Sequence, residues 1–229
     1  MQPKLIVALD YNNHLDAQNL IEQLSPDLCA VKVGSEMYTH LGPNFVKGLV
    51  ARGFNVFLDL KFHDIPNTVA KACVAAADLG VWMLNVHASG GLAMMQAARN
   101  ALDAYGADRP LLIAVTVLTS MTEQELKTIG INQSLQEHVG RLASLAQLAN
   151  LDGVVSSALE VPMIKATCGE TFLAVTPGIR KLDDNSHDQA RIVTPEMAFK
   201  AGSDFIVVGR PITRSANPAD AIKQWMDCI

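Results

Sequence analysis

Residues 55–88 read NVFLDLKFHDIPNTVAKACVAAADLGVWMLNVHA and hold one complete strand–helix–strand step. Residues 55–62 are too few for an ordinary helix and are apolar apart from Asn55, Asp59 and Lys61. Asn67-Thr68 opens a helical stretch over 69–79, Gly80 ends it, and 82–88 is the next apolar run. Short runs without regular polar alternation fit strands buried on both faces, as in parallel sheets. The same unit recurs along the chain, with apolar runs at 5–10, 30–34, 55–62, 82–88, 111–119, 153–158, 172–179 and 205–210. The first five begin at 5, 30, 55, 82 and 111, so the steps are 25 to 29 residues long. The fifth step is longer and holds an extra short helix near 122–128.

The intervening segments carry helix signals. Ser134 with Glu137 makes a capping box before a helix over 139–149. Thr194-Pro195-Glu196 and Asn217-Pro218 each put proline at the first helical position. Gly53, Gly80 and Gly202 stand shortly before strands, where helices end. Eight such units predict an α/β fold of the (β/α)8 TIM-barrel class, a single domain over 1–229. An open doubly wound sheet is the alternative. It calls for a GxGxxG turn after the first strand, and the turn here is Asp10-Tyr11-Asn12-Asn13.

Length and composition narrow the function. The 229 residues suit one large domain or two small ones, at about 150 residues per domain. Hydrophobic residues make up 49% and charged residues 18%, which excludes a disordered chain. The net charge of −5, with no Lys/Arg cluster, argues against nucleic acid as a partner. No apolar run approaches the ~20 residues that span a bilayer, so no membrane partner is expected. The N-terminus lacks a secretory pattern, and Cys29, Cys73, Cys168 and Cys228 are too far apart for a metal knuckle or CxxC pair. A cytoplasmic protein with reduced thiols, mostly buried as small apolar residues, is the expectation.

In a barrel, catalytic groups project from the C-terminal ends of the strands. Polar residues at those ends are Asp10, Lys32, Asp59, Lys61, His63, Asp64, Asn85, His87, Thr119, Ser120, Arg180 and Arg210. Asp59 and Lys61 are two apart on one strand and share a face, with Lys32 on the neighbouring strand. Isolated buried charges are costly, so Lys32, Asp59, Lys61 and Asp64 are read together as an alternating, neutralised array. Its functional reading is weighed against a salt-bridge plug in the barrel. Gly209-Arg210 ends strand eight, where barrels bind phosphate, and Arg180 starts a polar loop over 181–189 that reads as a lid. His63 and His87 lack an obvious partner carboxylate at ligand spacing, and Lys61 competes with any cation for the central carboxylates. No metal is expected.

Residues 59–68, Asp59-Leu60-Lys61-Phe62-His63-Asp64-Ile65-Pro66-Asn67-Thr68, closely resemble the DxKxxDIPNT signature of the orotidine 5′-phosphate decarboxylase family. The resemblance spans the chain. It takes in Val7-Ala8-Leu9-Asp10, Lys32-Val33-Gly34, Thr116-Val117-Leu118-Thr119-Ser120, Thr176-Pro177-Gly178-Ile179-Arg180 and Val208-Gly209-Arg210-Pro211-Ile212. No transferase domain is attached, which points to the bacterial, monofunctional form. The resemblance implies decarboxylation of orotidine 5′-monophosphate to UMP in pyrimidine biosynthesis, without metal or organic cofactor. It implies that Asp10 and Lys32 hold the ribose hydroxyls, Asp59 faces the departing carboxylate and Lys61 protonates C6. Asp64 and Thr68 reach into the neighbouring subunit's site, so a homodimer with shared sites is implied. Thr119 or Ser120 contacts the base. Gln189, Gly209 and Arg210 hold the phosphate, with Arg180 close by.

Three other activities compete with this reading. Metal-dependent sugar-phosphate decarboxylases and hexulose-phosphate synthases share a DxKxxD element but carry a metal-ligating Glu where this chain has Lys32. A Schiff-base aldolase needs a deprotonated lysine, which the paired carboxylates oppose. A non-catalytic phosphometabolite-binding barrel has no need of the intact charged array.

Overall fold

The computed structural model describes residues 3–180 and 193–228. Eight parallel strands close into a barrel in sequence order. They are β1 (Leu5–Ala8), β2 (Ala30–Gly34), β3 (Val56–Phe62), β4 (Met83–His87), β5 (Leu111–Val115), β6 (Gly153–Val155), β7 (Leu173–Pro177) and β8 (Phe205–Val208). The helices are α1 (His14–Ile21), α2 (Ser35–Ala51), α3 (Pro66–Ala77), α4 (Leu92–Ala101), α5 (Glu123–Thr128), α6 (Leu135–Leu148), α7 (Val161–Cys168), α8 (Pro195–Lys200), α9 (Arg210–Thr213) and α10 (Pro218–Met226). Among the described residues, no helix is long and apolar enough to cross a membrane.

Both strand faces are buried, which is why the strands read as nearly continuous apolar runs. Ile6, Ala8, Ala30, Phe57, Met83, Ile113, Val175, Phe205 and Val207 point inward and fill the barrel. Their neighbours, such as Val7, Val31, Leu58, Leu84, Val86, Leu112 and Val208, point outward and pack against the helices. Each such large side chain contributes about 1.5–3 kcal/mol by leaving water.

The N-terminal ends of the strands are stapled by one device used twice. Asp152, just before β6, takes a two-pronged pair from Arg109 at 2.7 and 2.6 Å and accepts the Leu112 N–H of β5 at 2.8 Å. Asp204, just before β8, takes the buried Lys165 ammonium at 2.8 Å and the Ala174 N–H of β7 at 2.7 Å. Trp82 and Phe205 meet edge to face at this end, 5.1 Å between ring centres. At Gly153 a side chain is impossible, because a Cβ would lie 2.2 Å from the Leu173 carbonyl oxygen.

Several boundaries differ from the sequence reading for local reasons. The third helix starts at Pro66, with Ile65 as its cap, rather than after Asn67-Thr68. Proline needs no hydrogen-bond acceptor for the N–H it lacks, so it starts the helix itself. The sixth helix begins at Leu135, directly after the capping box of Ser134 and Glu137, four residues earlier than the apolar periodicity indicates. Pro195 and Pro218 do sit in the first turn of their helices, capped by Thr194 and Asn217. β5 stops at Val115, so Thr119 and Ser120 lie on the following loop, before the expected short helix α5. Met94 and Met95 are core residues, and Cys29, Cys73 and Cys168 are buried. Burial pushes the Cys29 and Cys73 thiols up to about 12. Cys228 departs from the expectation and is partly exposed.

Candidate active site

The C-terminal ends of the strands surround a cavity of about 330 Å³. Its walls differ in character around the ring. β1, β2 and β3 contribute Asp10, Lys32, Asp59 and Lys61. β5, β6 and the loop after β5 contribute Val115, Val117, Leu118, Thr119 and Val155. The ends of β7 and β8 contribute Pro177, Gly178, Arg180, Gly209 and Arg210. One site therefore offers a charged wall, an apolar wall and a pair of guanidiniums.

The charged wall is a chain of contacts. The Lys32 ammonium lies 3.2 Å from Asp10 Oδ1 and 3.4 Å from Asp59 Oδ2. The Lys61 ammonium lies 2.7 Å from Asp59 Oδ1. Burial acting alone would raise the Asp59 pKa, but the ammoniums of Lys32 and Lys61 and hydrogen bonds from Lys61 and Asn85 hold it below the usual range. For Lys32 burial acts downward, and the carboxylates of Asp59 and Asp10 outweigh it, so its pKa is raised. Both residues are thus charged at neutral pH, and each carboxylate already faces a cation.

β3 does not reach this arrangement as a regular strand. Leu58 pairs with Leu84 and Phe62 with Val86, so four steps on β3 match two on β4. The excess forms a bulge, a feature that re-aims side chains. Lys61 sits in it with φ at +52°, a left-handed conformation uncommon for residues other than glycine. Asn85 on β4 spans the bulge. It is fully buried, its amide donates to Asp59 Oδ1 at 2.7 Å, and its carbonyl accepts the Lys61 backbone N–H at 2.8 Å.

Asp64 does not join the charged wall of its own chain, contrary to the four-member array read from sequence. It is exposed, its carboxylate accepts the Ile65 N–H at 2.6 Å, and no ion pair among the described residues links it to Lys61. The reason is local. The strand ends at Phe62 and the helix starts at Pro66, so Asp64 sits on the exposed turn between them and does not line the cavity. Residues 63–68 form an unbroken exposed run that includes Thr68 and Ile65, the latter 65% exposed.

The ends of β7 and β8 form the third side of the cavity. Arg180 is buried rather than a surface side chain, and its guanidinium donates to the Ile179 carbonyl at 2.8 Å. Gly209 lies against Ala8 and Asp10. The Tyr11 hydroxyl donates to the Thr213 carbonyl at 3.0 Å and ties the β1 loop to α9. Gln189 lies outside the described residues, as does the whole 181–189 loop read as a lid.

A family model described as "Orotidine 5'-phosphate decarboxylase / HUMPS family" matches residues 3–225. The chain belongs to the orotidine 5′-phosphate decarboxylase family. A Legionella pneumophila orotidine 5′-phosphate decarboxylase is 62% identical over 222 residues, 97% of each chain. A Haemophilus influenzae orotidine 5′-phosphate decarboxylase is 57% identical over 223 residues, again 97% of each. The crystal structure of orotidine 5′-phosphate decarboxylase from Lactobacillus acidophilus superposes with a TM-score of 0.89 at 39% identity, covering 100% of this chain and 99% of that one. Membership makes the chain an enzyme of the decarboxylase, or carboxy-lyase, class, working in pyrimidine biosynthesis on a TIM barrel.

Within this family site, Asp10, Lys32, Asp59, Lys61, Thr119, Arg180, Gly209 and Arg210 all line one cavity. Ser120, Asp64 and Thr68 do not line it within the chain. Asn85 was visible in the sequence only as a polar residue ending a strand. The signal that marks it is its inward position, two residues after the core residue Met83. His63 and His87 come within 5.5 Å, ring centre to ring centre. Burial, then the nearby His63 and Lys61 charges, lower the His87 pKa, which keeps that imidazole neutral. Among the described residues, no three His, Cys, Asp or Glu side chains converge to hold a metal ion.

Proposed function

We propose that the chain converts orotidine 5′-monophosphate to UMP without a metal or organic cofactor, using Lys61 to stabilise and protonate C6. The observation that carries this reading is the Lys61 ammonium held 2.7 Å from Asp59 in a cavity that ends in Arg180 and Arg210. The C6–carboxylate bond breaks, its electron pair stays on C6, and CO₂ leaves. The ring cannot delocalise that pair into its π system, so stabilisation must come from a charge fixed nearby. Lys61 supplies the charge and then a proton, which forms the C6–H bond, and solvent returns a proton to the lysine. Asp59 faces the departing carboxylate. Lys32 and Asp10 receive the ribose hydroxyls, Thr119 the base, and Gly209, Arg210 and Gln189 the phosphate, with Arg180 beside it.

Cofactor independence is supported by the charges. Asp59 and Asp10 are already compensated by two lysines, so a divalent cation would have to displace an ammonium. A homodimer with shared sites is supported by residues 63–68, where Asp64 and Thr68 flank the exposed Ile65. In this reading they complete the partner's site. Neither nucleic acid nor membrane is a partner, and the buried thiols support a cytoplasmic setting.

The test is turnover of orotidine 5′-monophosphate, followed by absorbance, with protein dialysed against EDTA. Full activity in chelator is expected. Loss of activity, restored by Mg²⁺ or Zn²⁺, would refute the mechanism while leaving family membership intact.

A further inference from the structure

Asn85, Asp59 and Lys61 form a closed ring of hydrogen bonds. The Asn85 amide and the Lys61 ammonium both meet Asp59 Oδ1, at 2.7 Å each, and the Asn85 carbonyl takes the Lys61 backbone N–H at 2.8 Å. The register shift explains the last bond. In β3 the Asn55 carbonyl faces β2 and the Val56 carbonyl faces β4, so in a regular strand the Lys61 N–H would face β2. With the bulge and the positive φ it meets β4 instead, where the asparagine side chain accepts it. Its orientation is fixed by chemistry, because a backbone N–H can only donate and an ionised Asp59 can only accept. Aspartate at 85 would lack the donor, and leucine would lack both groups. Asn85 itself is fully buried, so water does not substitute for either group.

We infer that Asn85 is a positioning residue for the reaction. It holds the backbone of Lys61 in the left-handed conformation and fixes the Asp59 oxygen on which the Lys61 ammonium rests. The inference rests on the reading of Lys61 as proton donor. It assigns Asn85 no contact with substrate. Its loss should therefore appear in kcat, because a displacement of about 1 Å in a reacting group costs on the order of 10²-fold in rate. Binding through ribose and phosphate should be nearly unaffected.

Asn85→Ala, Asn85→Asp and Asn85→Ser are compared with wild type, with the folded fraction of each taken from the stoichiometry of UMP binding. Asn85→Ala should lose roughly 10²-fold in kcat with KM within about threefold of wild type. Asn85→Asp should depend on pH in its own way. Its carboxyl faces Asp59, with the Lys61 and Lys32 ammoniums and His87, whose pKa burial lowers, nearby. Two carboxyls so close share a proton, and the protonated form regains a donor. Its kcat relative to wild type should climb at least ~10-fold between about pH 8 and about pH 5.5, while the Asn85→Ala ratio stays flat. Folded Asn85→Ala or Asn85→Ser with kcat within about threefold of wild type would overturn the inference. So would an Asn85→Asp profile parallel to wild type. Failure of all three variants to fold would assign Asn85 to the fold alone, which also overturns it. Lys61→Ala, assayed alongside, separates the two levels. If Lys61→Ala keeps its turnover, the proton-donor reading fails. If it is inactive while Asn85→Ala is fully active, only the role of Asn85 fails.

Discussion

Removing Asp59 and removing Lys61 should both abolish turnover, yet they should differ in what they do to stability. Asp59 is 9% exposed and accepts from Lys32, Lys61 and Asn85 together. Asp59→Ala leaves the buried Lys32 ammonium with only the exposed Asp10, leaves Lys61 without its carboxylate, and orphans the Asn85 amide. Breaking a buried pair from one side costs about 3–5 kcal/mol, because the remaining charge stays desolvated. For a chain of this size that corresponds to a melting point lower by roughly 6–20 °C. Lys61 is different. Its side chain is 34% exposed, and Asp59 keeps Lys32 and Asn85 when it is gone. Solvent screening limits that loss to about 1 kcal/mol. Lys61→Ala should still lose at least ~10³-fold in kcat, the scale of removing a central electrostatic group. Urea unfolding at one protein concentration measures the first effect, and decarboxylation the second. Equal destabilisation by the two substitutions would refute the asymmetry, and Lys61→Ala retaining a tenth of wild-type kcat would refute the catalytic assignment.

Arg210→Ala should sharply lower kcat/KM for orotidine 5′-monophosphate and hardly alter the weak turnover of orotidine, because remote phosphate binding energy is used at the reacting carbon. Equal fractional losses on both substrates would make Arg210 structural. The stability difference between wild type and Asp59→Ala should be flat across neutral pH. Asp59 has a depressed pKa, so its contribution is complete above the usual 3.8 and lost as pH falls through the lower folded value. Lys32 has a raised pKa, so its contribution is complete below the usual 10.5 and lost as pH rises through the higher folded value. Stability curves that fail to converge at both extremes would contradict these directions. Mixing Lys61→Ala and Asp64→Ala proteins under subunit exchange should restore about a quarter of all sites if Asp64 acts in the partner's cavity. Activity no higher than that of the separate mutants, with exchange confirmed by mass, would refute sharing.

The barrel was legible because parallel strands buried on both faces leave an unmistakable rhythm of apolar runs and capped helices. Strand ends were less so. The run over 111–119 reads apolar to Leu118 apart from Thr116, yet the strand register ends at Val115, opposite the last residue of the three-residue β6. The cavity-lining set was legible from polar residues at strand ends. Two features were not. The bulge in β3 is a property of pairing between strands, and nothing in 56–62 taken alone reports the partner's register. The outward turn of Asp64 likewise depends on where β3 ends and α3 begins. Asn85 was visible as a residue but its use was not, because its partners lie 24 and 26 positions away in sequence.

The two ends of the barrel divide stability and chemistry between them. At the N-terminal end, Asp152 and Asp204 each take one cation and the N–H of the second residue in the preceding strand, Leu112 in β5 and Ala174 in β7. Both carboxylates and both cations there are paired, and the strands around them are regular. At the other end a non-glycine residue holds positive φ, two ammoniums share one carboxylate, and a strand carries two extra residues. The ion pairs contribute to stability, but the backbone geometry works against folding. A backbone conformation of that kind costs of order 1–3 kcal/mol and persists only where its surroundings over-determine it. The strained lysine is the one whose ammonium the proposed chemistry needs at a fixed point. The neighbouring strand supplies Asn85, the side chain that makes the strained backbone and the central carboxylate parts of a single hydrogen-bonded ring.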